Sequence, residues 1–251
     1  MSERIIEALL KLFAVFARPD TSTSDKQDVV ELFLAAQLNK ELAINYLPTF
    51  KQEYEEVVAD ISRITEKAGS KTGDALKYKI EAKLAARIHR ICNSINQELT
   101  QKQKLFVIIS ILEFISSDKE YNGEITTSEK EFLAILIDDL NIDEQEYAQL
   151  SSFILSPFDE IVETTNVLLI NNNEHHTSTE SKHIYSPHLS GCIKVFYIAS
   201  TNLLLFRSQG VGEITLNSQP VHENKVNFIS IGSAIRSHQI KPIYYSEILN
   251  K

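Results

Sequence analysis

The chain has 251 residues, 43% of them apolar, and a formal net charge of −9. That length suits one large core or two modest ones, since domains commonly run to roughly 100 to 150 residues, and two domains fit best. The negative balance argues against nucleic acid and anionic membrane surfaces as general partners, and the only two cysteines, Cys92 and Cys192, lie too far from other thiols for a disulfide framework or a metal motif.

The start of the sequence lacks the basic and apolar sections of a secretory signal, which points to a reducing cytosol. The longest apolar stretch, Leu105 to Ile115, is interrupted by Ser110 and Glu113. It falls short of the roughly 20 residues needed to span a bilayer, so no direct membrane insertion is expected.

In chain order, Ile5, Leu9, Leu12, Phe13 and Phe16 recur at three and four, the period of an amphipathic helix. Ser24 and Gln27 form a capping-box start for a second helix through Val29, Leu32, Phe33 and Ala36. Residues 40 to 66 continue as helix, with a break or kink expected at Pro48. After a loop from Gly69 to Gly73, Ile80, Leu84, Ile88, Ile91 and Ile95 make an apolar stripe on a long helix. Lys79, Lys83, Arg87 and Arg90 line its other side, either as a solvated face or as a docking face for an acidic partner. Helices over Gln103 to Ser116, Glu129 to Leu140 and Glu144 to Phe153 complete an all-helical region to about residue 155.

Beyond Pro157 the pattern changes to short apolar runs: Val167 to Ile170, Ile193 to Ile198, Leu203 to Phe206, Glu213 to Leu216 and Phe228 to Ile231. Gly191, Gly210, Gly212 and Gly232 sit at or beside the run ends, where turns use positive φ. The expected class is α+β in two domains, a helical bundle over 1–155 and a small antiparallel β-sandwich over 156–251.

An internal repeat organises the helical part. Leu12 to Ala17, an acidic turn and Ser24-Asp25 are echoed by Leu112 to Ser117, an acidic turn and Ser128-Glu129. Aligning the serines sets Val29, Leu32 and Phe33 against Leu133, Leu136 and Ile137, as though both helix pairs offered the same positions to one core.

The second acidic turn carries metal chemistry. A calcium loop of the EF-hand type needs oxygen ligands at its first, third, fifth and twelfth positions, glycine at the sixth and a backbone carbonyl at the seventh. Asp118, Glu120, Asn122, Gly123, Glu124 and Glu129 fill those places in order, and an all-oxygen set favours Ca2+ over zinc. The glutamate at the third position is longer than the usual aspartate. A local alternative stands beside this reading, in which Thr126 and Glu129 form a capping box that needs no ion.

His175, His176, His183 and His188, with Glu174 and Glu180, are irregularly spaced in a Ser/Thr/Asn-rich stretch that reads as a solvated loop. The sequence holds no Walker-type phosphate loop, no Gly-x-Ser-x-Gly elbow and no dinucleotide fingerprint, so it nominates no catalytic residue and no nucleotide cofactor.

The paired apolar helix, acidic turn and helix, with Asn122-Gly123-Glu124-Ile125 and Glu129, resemble the tellurite-resistance B-like (TerB-like) family over residues 5 to 150. The resemblance implies an all-helical domain whose acidic turn binds metal through Asp118, Glu120, Asn122 and Glu129. The first turn, Arg18 to Asp25, departs from the family pattern and implies no second site. Leu216-Asn217-Ser218-Gln219-Pro220-Val221 and Phe228 to Ile235 are similar to the forkhead-associated (FHA) family. The arginine and serine that hold phosphothreonine in that family have no counterpart before Ile193, so peptide recognition is not expected.

This order of parts, ending in Lys241-Pro-Ile-Tyr-Tyr-Ser-Glu-Ile248, resembles the region ahead of the nucleotide-binding domain in bacterial ABC transporter ATPases. It implies a non-catalytic regulatory region that is metal-responsive at its helical end. Its partner would be an attached or separate ABC ATPase domain at the inner face of the membrane. The alternative is a free-standing stress-response protein that binds a divalent cation.

Overall fold

The computed structural model describes residues 3–17, 30–31, 34, 40–69, 73–117, 124–176 and 182–251. They pack as two compact units, Met1–Tyr147 and Ala148–Lys251, with a mixed α+β content.

The first unit is helical. It contains α1 (Glu3–Phe16), α2 (Lys40–Ala68), α3 (Asp74–Ile95), α4 (Gln101–Ser116) and α5 (Thr127–Leu140). The next helix, α6 (Glu144–Leu155), begins in this unit and ends in the second. Of the expected second helix, Val30, Glu31 and Leu34 are helical, with Val30 and Leu34 buried, while Val29, Leu32, Phe33 and Ala36 lie outside the described residues.

The periodicity of α1 predicts a one-sided helix, yet Ile6, Leu10, Ala14 and Val15 are buried as well as the expected stripe. The helix packs against α2, α3 and α4, and a helix apolar on nearly all sides is stable only in such a central place. Each fully buried leucine, isoleucine or phenylalanine there contributes roughly 1.5 to 3 kcal/mol over exposure. Phe13 stacks on Phe114 with centroids 4.6 Å apart, and Phe16 meets Phe132 edge-on at 6.0 Å, so α1 shares a core with α4 and α5. Leu133, Leu136 and Ile137 of α5 are buried, while Val29, Leu32 and Phe33, set against them by the alignment, lie outside the described residues.

α2 runs through Pro48 as one helix of 29 residues, although the proline withdraws one N–H from the ladder. Gly73, at φ 116°, precedes α3 in a conformation that only glycine adopts at ease. α4 starts at Gln101, two residues before the expected Gln103, because Thr100 and Gln103 form a complete capping box.

In the second unit a five-stranded sheet has the order β2-β1-β3-β4-β7, from β1 (Val167–Asn171), β2 (Lys182–Tyr185), β3 (Cys192–Ile198), β4 (Leu203–Gln209) and β7 (Asn227–Ile229). A four-stranded sheet has the order β6-β5-β8-β9, from β5 (Thr215–Leu216), β6 (Gln219–Pro220), β8 (Ala234–Arg236) and β9 (Ile243–Tyr244). A short helix, α7 (Tyr245–Leu249), follows. Pairing is antiparallel except between β1 and β2, which run parallel; the expected wholly antiparallel arrangement is corrected at that edge. A parallel neighbour cannot be joined to β1 by a tight two-residue hairpin.

Leu168, Ile170, Ile193, Val195, Leu204 and Phe206 of the larger sheet share a core with Ile235 and Ile243 of the smaller one. The sheets are therefore the two layers of a sandwich. The opposite face of the larger sheet is also covered, for Phe153 of α6 stacks on Phe196 at 5.2 Å and a 3-10 turn, Phe158–Glu160, packs beside it. Burial on both faces explains why β1, β3 and β4 read as continuous apolar runs and not as alternating ones.

Candidate functional site

Of the acidic-turn ligands, Asp118, Glu120 and Asn122 lie outside the described residues. Glu124 is exposed, just ahead of α5. Glu129 occupies the third position of that helix, and its Oε2 accepts the Thr126 backbone N–H at 2.8 Å and the Thr126 hydroxyl at 2.7 Å. The Glu129 N–H donates back to Thr126 Oγ1 at 3.2 Å. The capping box foreseen as the local alternative is thus formed, and Oε1 takes no part in it. Beside it the buried Ser128 hydroxyl donates to Glu81 Oε1 of α3 at 2.5 Å, tying the first turn of α5 down.

The basic row of α3 is partly consumed inside the unit. Arg87, whose side chain is only 12% exposed, bonds Glu53 at 2.5 Å and Glu56 at 3.0 Å, both on α2. Lys83 lies 3.5 Å from Asp60 on the same helix. The inner half of the row closes a charge ladder between two helices, and Lys79 and Arg90 remain on the exposed side.

Across the helical unit His89 Nδ1 meets Asp139 Oδ2 at 2.7 Å, and Asn96 donates to the Asp139 carbonyl. The neighbouring Cys92 is fully buried, and burial, aided by Asp139, pushes its thiol up to about 12. Such a thiol stays protonated and is a poor nucleophile. Cys192 is pushed up to about 11, again chiefly by burial.

The largest difference from the expected solvated loop concerns the histidines. His175 and His188 are exposed as foreseen, and Glu180 lies outside the described residues. His183 instead sits on β2, half-buried, and its ring stacks on His176 with centroids 4.7 Å apart. His183 Nε2 bonds Asn171 Oδ1 at 3.0 Å, and His176 Nε2 lies 3.7 Å from Glu163 Oε2. Burial first, then His176 and Lys251, hold the His183 pKa below the ordinary value, while Glu163 opposes them. Spacing in the sequence conceals this meeting, which depends on the parallel pairing of β1 with β2.

Asn217 and Ser218 take positive φ in the two-residue turn between β5 and β6. The Asn217 amide is engaged internally, donating to Ser233 Oγ at 2.9 Å and accepting the Ala234 N–H at 3.2 Å. Two buried cations do similar structural work. Lys194 bonds the carbonyls of Phe158 and Ile161, and Arg207 bonds those of Phe153, Ile154 and Ser156.

A cavity of about 250 Å3 between α6 and the sheet is lined by Gln149, Ser152, Phe153, Ile161, Val162 and Phe196. Among the described residues, no group of three His, Cys, Asp or Glu side chains could hold a metal ion, and no helix is long and apolar enough to cross a membrane. In comparisons with known proteins the chain matches no family model, no curated protein and no solved structure.

Proposed function

We propose that this chain is a non-catalytic regulatory region that acts with the nucleotide-binding domain of an ABC-type transporter ATPase, its acidic turn serving as the metal-responsive element. The observation that supports a non-catalytic role is where the second unit commits its polar side chains. Lys194 and Arg207 hold backbone carbonyls, and Asn217 holds Ser233 and Ala234. These groups maintain a shape for docking. The link to a transporter rests on the TerB-like, then FHA-like order of parts and on the Lys241 to Ile248 run.

Sequencing the reading frame beyond Lys251 tests the transporter link. A Gly-x-x-x-x-Gly-Lys-Ser/Thr segment there, together with ATP turnover that changes when residues 1–251 are removed, is the expected result. A stop codon immediately after Lys251, with no ATPase recovered on the purified chain, overturns it in favour of the free-standing cation-binding reading. Calcium is tested separately by native mass spectrometry, in which one bound Ca2+ per chain is expected and none at millimolar Ca2+ removes the metal-responsive part.

A further inference from the structure

The two histidines that meet beside β2 stand apart from the acidic turn and from the polar groups that hold the shape of the second unit. Their rings, of His176 and His183, stack with centroids 4.7 Å apart. Among the described residues, the groups that act electrostatically on His183 come from three separate stretches: His176 after β1, Glu163 ahead of it and Lys251 beyond α7. β1 itself, the strand that His183 pairs against, carries no titratable side chain. Lys251 is positive and His176 becomes so in acid. Glu163 Oε2 lies 3.7 Å from His176 Nε2, and its attraction for His183 is the weakest of these influences.

Asn171 holds the His183 ring in place. Its Oδ1 accepts the Asn173 N–H at 2.9 Å, which marks that atom as the oxygen, so His183 Nε2, 3.0 Å away, is the donor. That bond exists whether or not Nδ1 carries a second proton, and an added charge therefore stays beside the His176 ring. The strand that bears it is weakly held. β2 is an edge strand of four residues, pairs with β1 alone and in parallel, and fully buries one side chain, Ile184. Parallel pairing is slightly the less stable kind, so little opposes a repulsion placed there.

We propose that the His176–His183 stack makes the attachment of β2 to β1 sensitive to pH: neutral rings keep the strand paired, and protonation of His183 in mild acid releases it. Release uncovers the N–H and C=O row of β1, an edge open to another strand. Burial, His176 and Lys251 lower the His183 pKa from its ordinary 6.5, so a detached strand takes up its proton before an attached one does. The contribution of His183 to attachment is complete above pH 6.5 and declines as pH falls through that value.

The test is hydrogen exchange of the full chain at pH 7.5 and pH 5.0, read as protection factors so that the intrinsic pH dependence of exchange cancels. The expected result is a fall of about 10-fold or more in the protection of residues 182–185, with β3 and β4 changing much less. His183→Gln keeps an N–H donor for Asn171 without the charge and should remove the fall. His176→Gln, outside the strands, should diminish it and carries the test if His183→Gln loosens β2 at both pH values. Glu163→Gln removes the opposing carboxylate and should make release begin at higher pH, whereas His175→Gln should change nothing. Equal protection of β2 at the two pH values, an equal fall across β3 and β4, or a fall that survives undiminished in both His183→Gln and His176→Gln overturns the proposal.

Discussion

Lys194 and Arg207 are direct cross-strand partners on β3 and β4, both buried, and both reach to the same side of the larger sheet. Like charges opposite one another ordinarily destabilise a sheet. Here five carbonyls receive them, three at and just past the end of α6, one on the first residue of the following 3-10 turn and one just after it. The last carbonyls of a helix have no partner within it and form the negative end of its dipole, so the cations fill both needs. The Lys194 ammonium also lies 5.1 Å from the centre of the Phe158 ring.

Replacing Arg207 with alanine should cost more than replacing Lys194 with methionine. The first change strands two buried carbonyls and one part-buried one, the second two buried ones, at roughly 1 to 3 kcal/mol for each group left unsatisfied, partly recovered by entering water. Urea denaturation of both variants, followed by near-UV circular dichroism, checks the order. Equal or negligible losses would contradict the staple.

Gly191 approaches its neighbour so closely that an added Cβ would lie 2.2 Å from the Gln209 carbonyl oxygen, at a φ of +71°. Gly191→Ala should therefore separate the ends of β3 and β4 and cost at least about 1 to 3 kcal/mol for the backbone strain alone. Gly212→Ala, with open space around it, is expected to pay only the conformational cost. Thermal melts of the two variants compare them directly.

In the helical unit Arg87 and Lys79 belong to one basic row but differ in surroundings. Arg87→Ala removes the nearer cation from half-buried Glu53, leaving only Lys11 at 4.0 Å, and should destabilise by roughly 1 to 3 kcal/mol. Lys79→Ala is expected to stay within about 0.5 kcal/mol. A chemical denaturation pair that showed the same change for both would mean that the ladder adds nothing.

The capping box and the calcium loop can be separated at Glu129. Glutamine also serves in a capping box, so Glu129→Gln should leave the melting temperature without calcium nearly unchanged. Thr126→Ala should lower stability by about 1 kcal/mol with or without it. A calcium-dependent rise in melting temperature in the native chain, absent in Glu129→Gln, is the expected signature of ion binding at this turn.

Cys92 predicts an alkaline limb. Its folded pKa, about 12, exceeds the ordinary 9.0, so the thiol is neutral in both states below pH 9 and its stabilising contribution is complete there. As pH rises from 9 towards 12 the unfolded chain ionises first, and stability falls. Cys92→Ala should flatten that part of the stability–pH curve, and native Cys92 should resist alkylation at neutral pH until the chain is unfolded.

The helices were legible because burial repeats at their own period, as Leu84, Ile88, Ile91 and Ile95 do on α3. Even the Thr100-x-x-Gln103 box stood in the sequence, unused. β1, β3 and β4 were legible as apolar runs, but the reason they do not alternate, coverage by Phe153 and the 3-10 turn, is tertiary. β2 was not legible, since Lys182-His183-Ile184-Tyr185 holds one buried apolar residue and gains its identity from parallel pairing. With β2 unseen, His183 read as loop, and its meeting with His176 and Glu163 had no local signal. The acidic turn was the reverse case, a strong local pattern of which the described residues show Glu124 and Glu129.

The nearly all-round burial of α1 bears on how the chain is made. This segment is synthesised ahead of α2, α3 and α4, the helices that enclose it, and α4 starts at Gln101. Until those arrive its apolar surface has nothing native to cover it. Its contacts are long-range, so closure is slow relative to local helix formation. The nascent chain therefore passes through a stage with α1 as an exposed greasy cylinder, the kind of surface that chaperones shield and that aggregates when they do not.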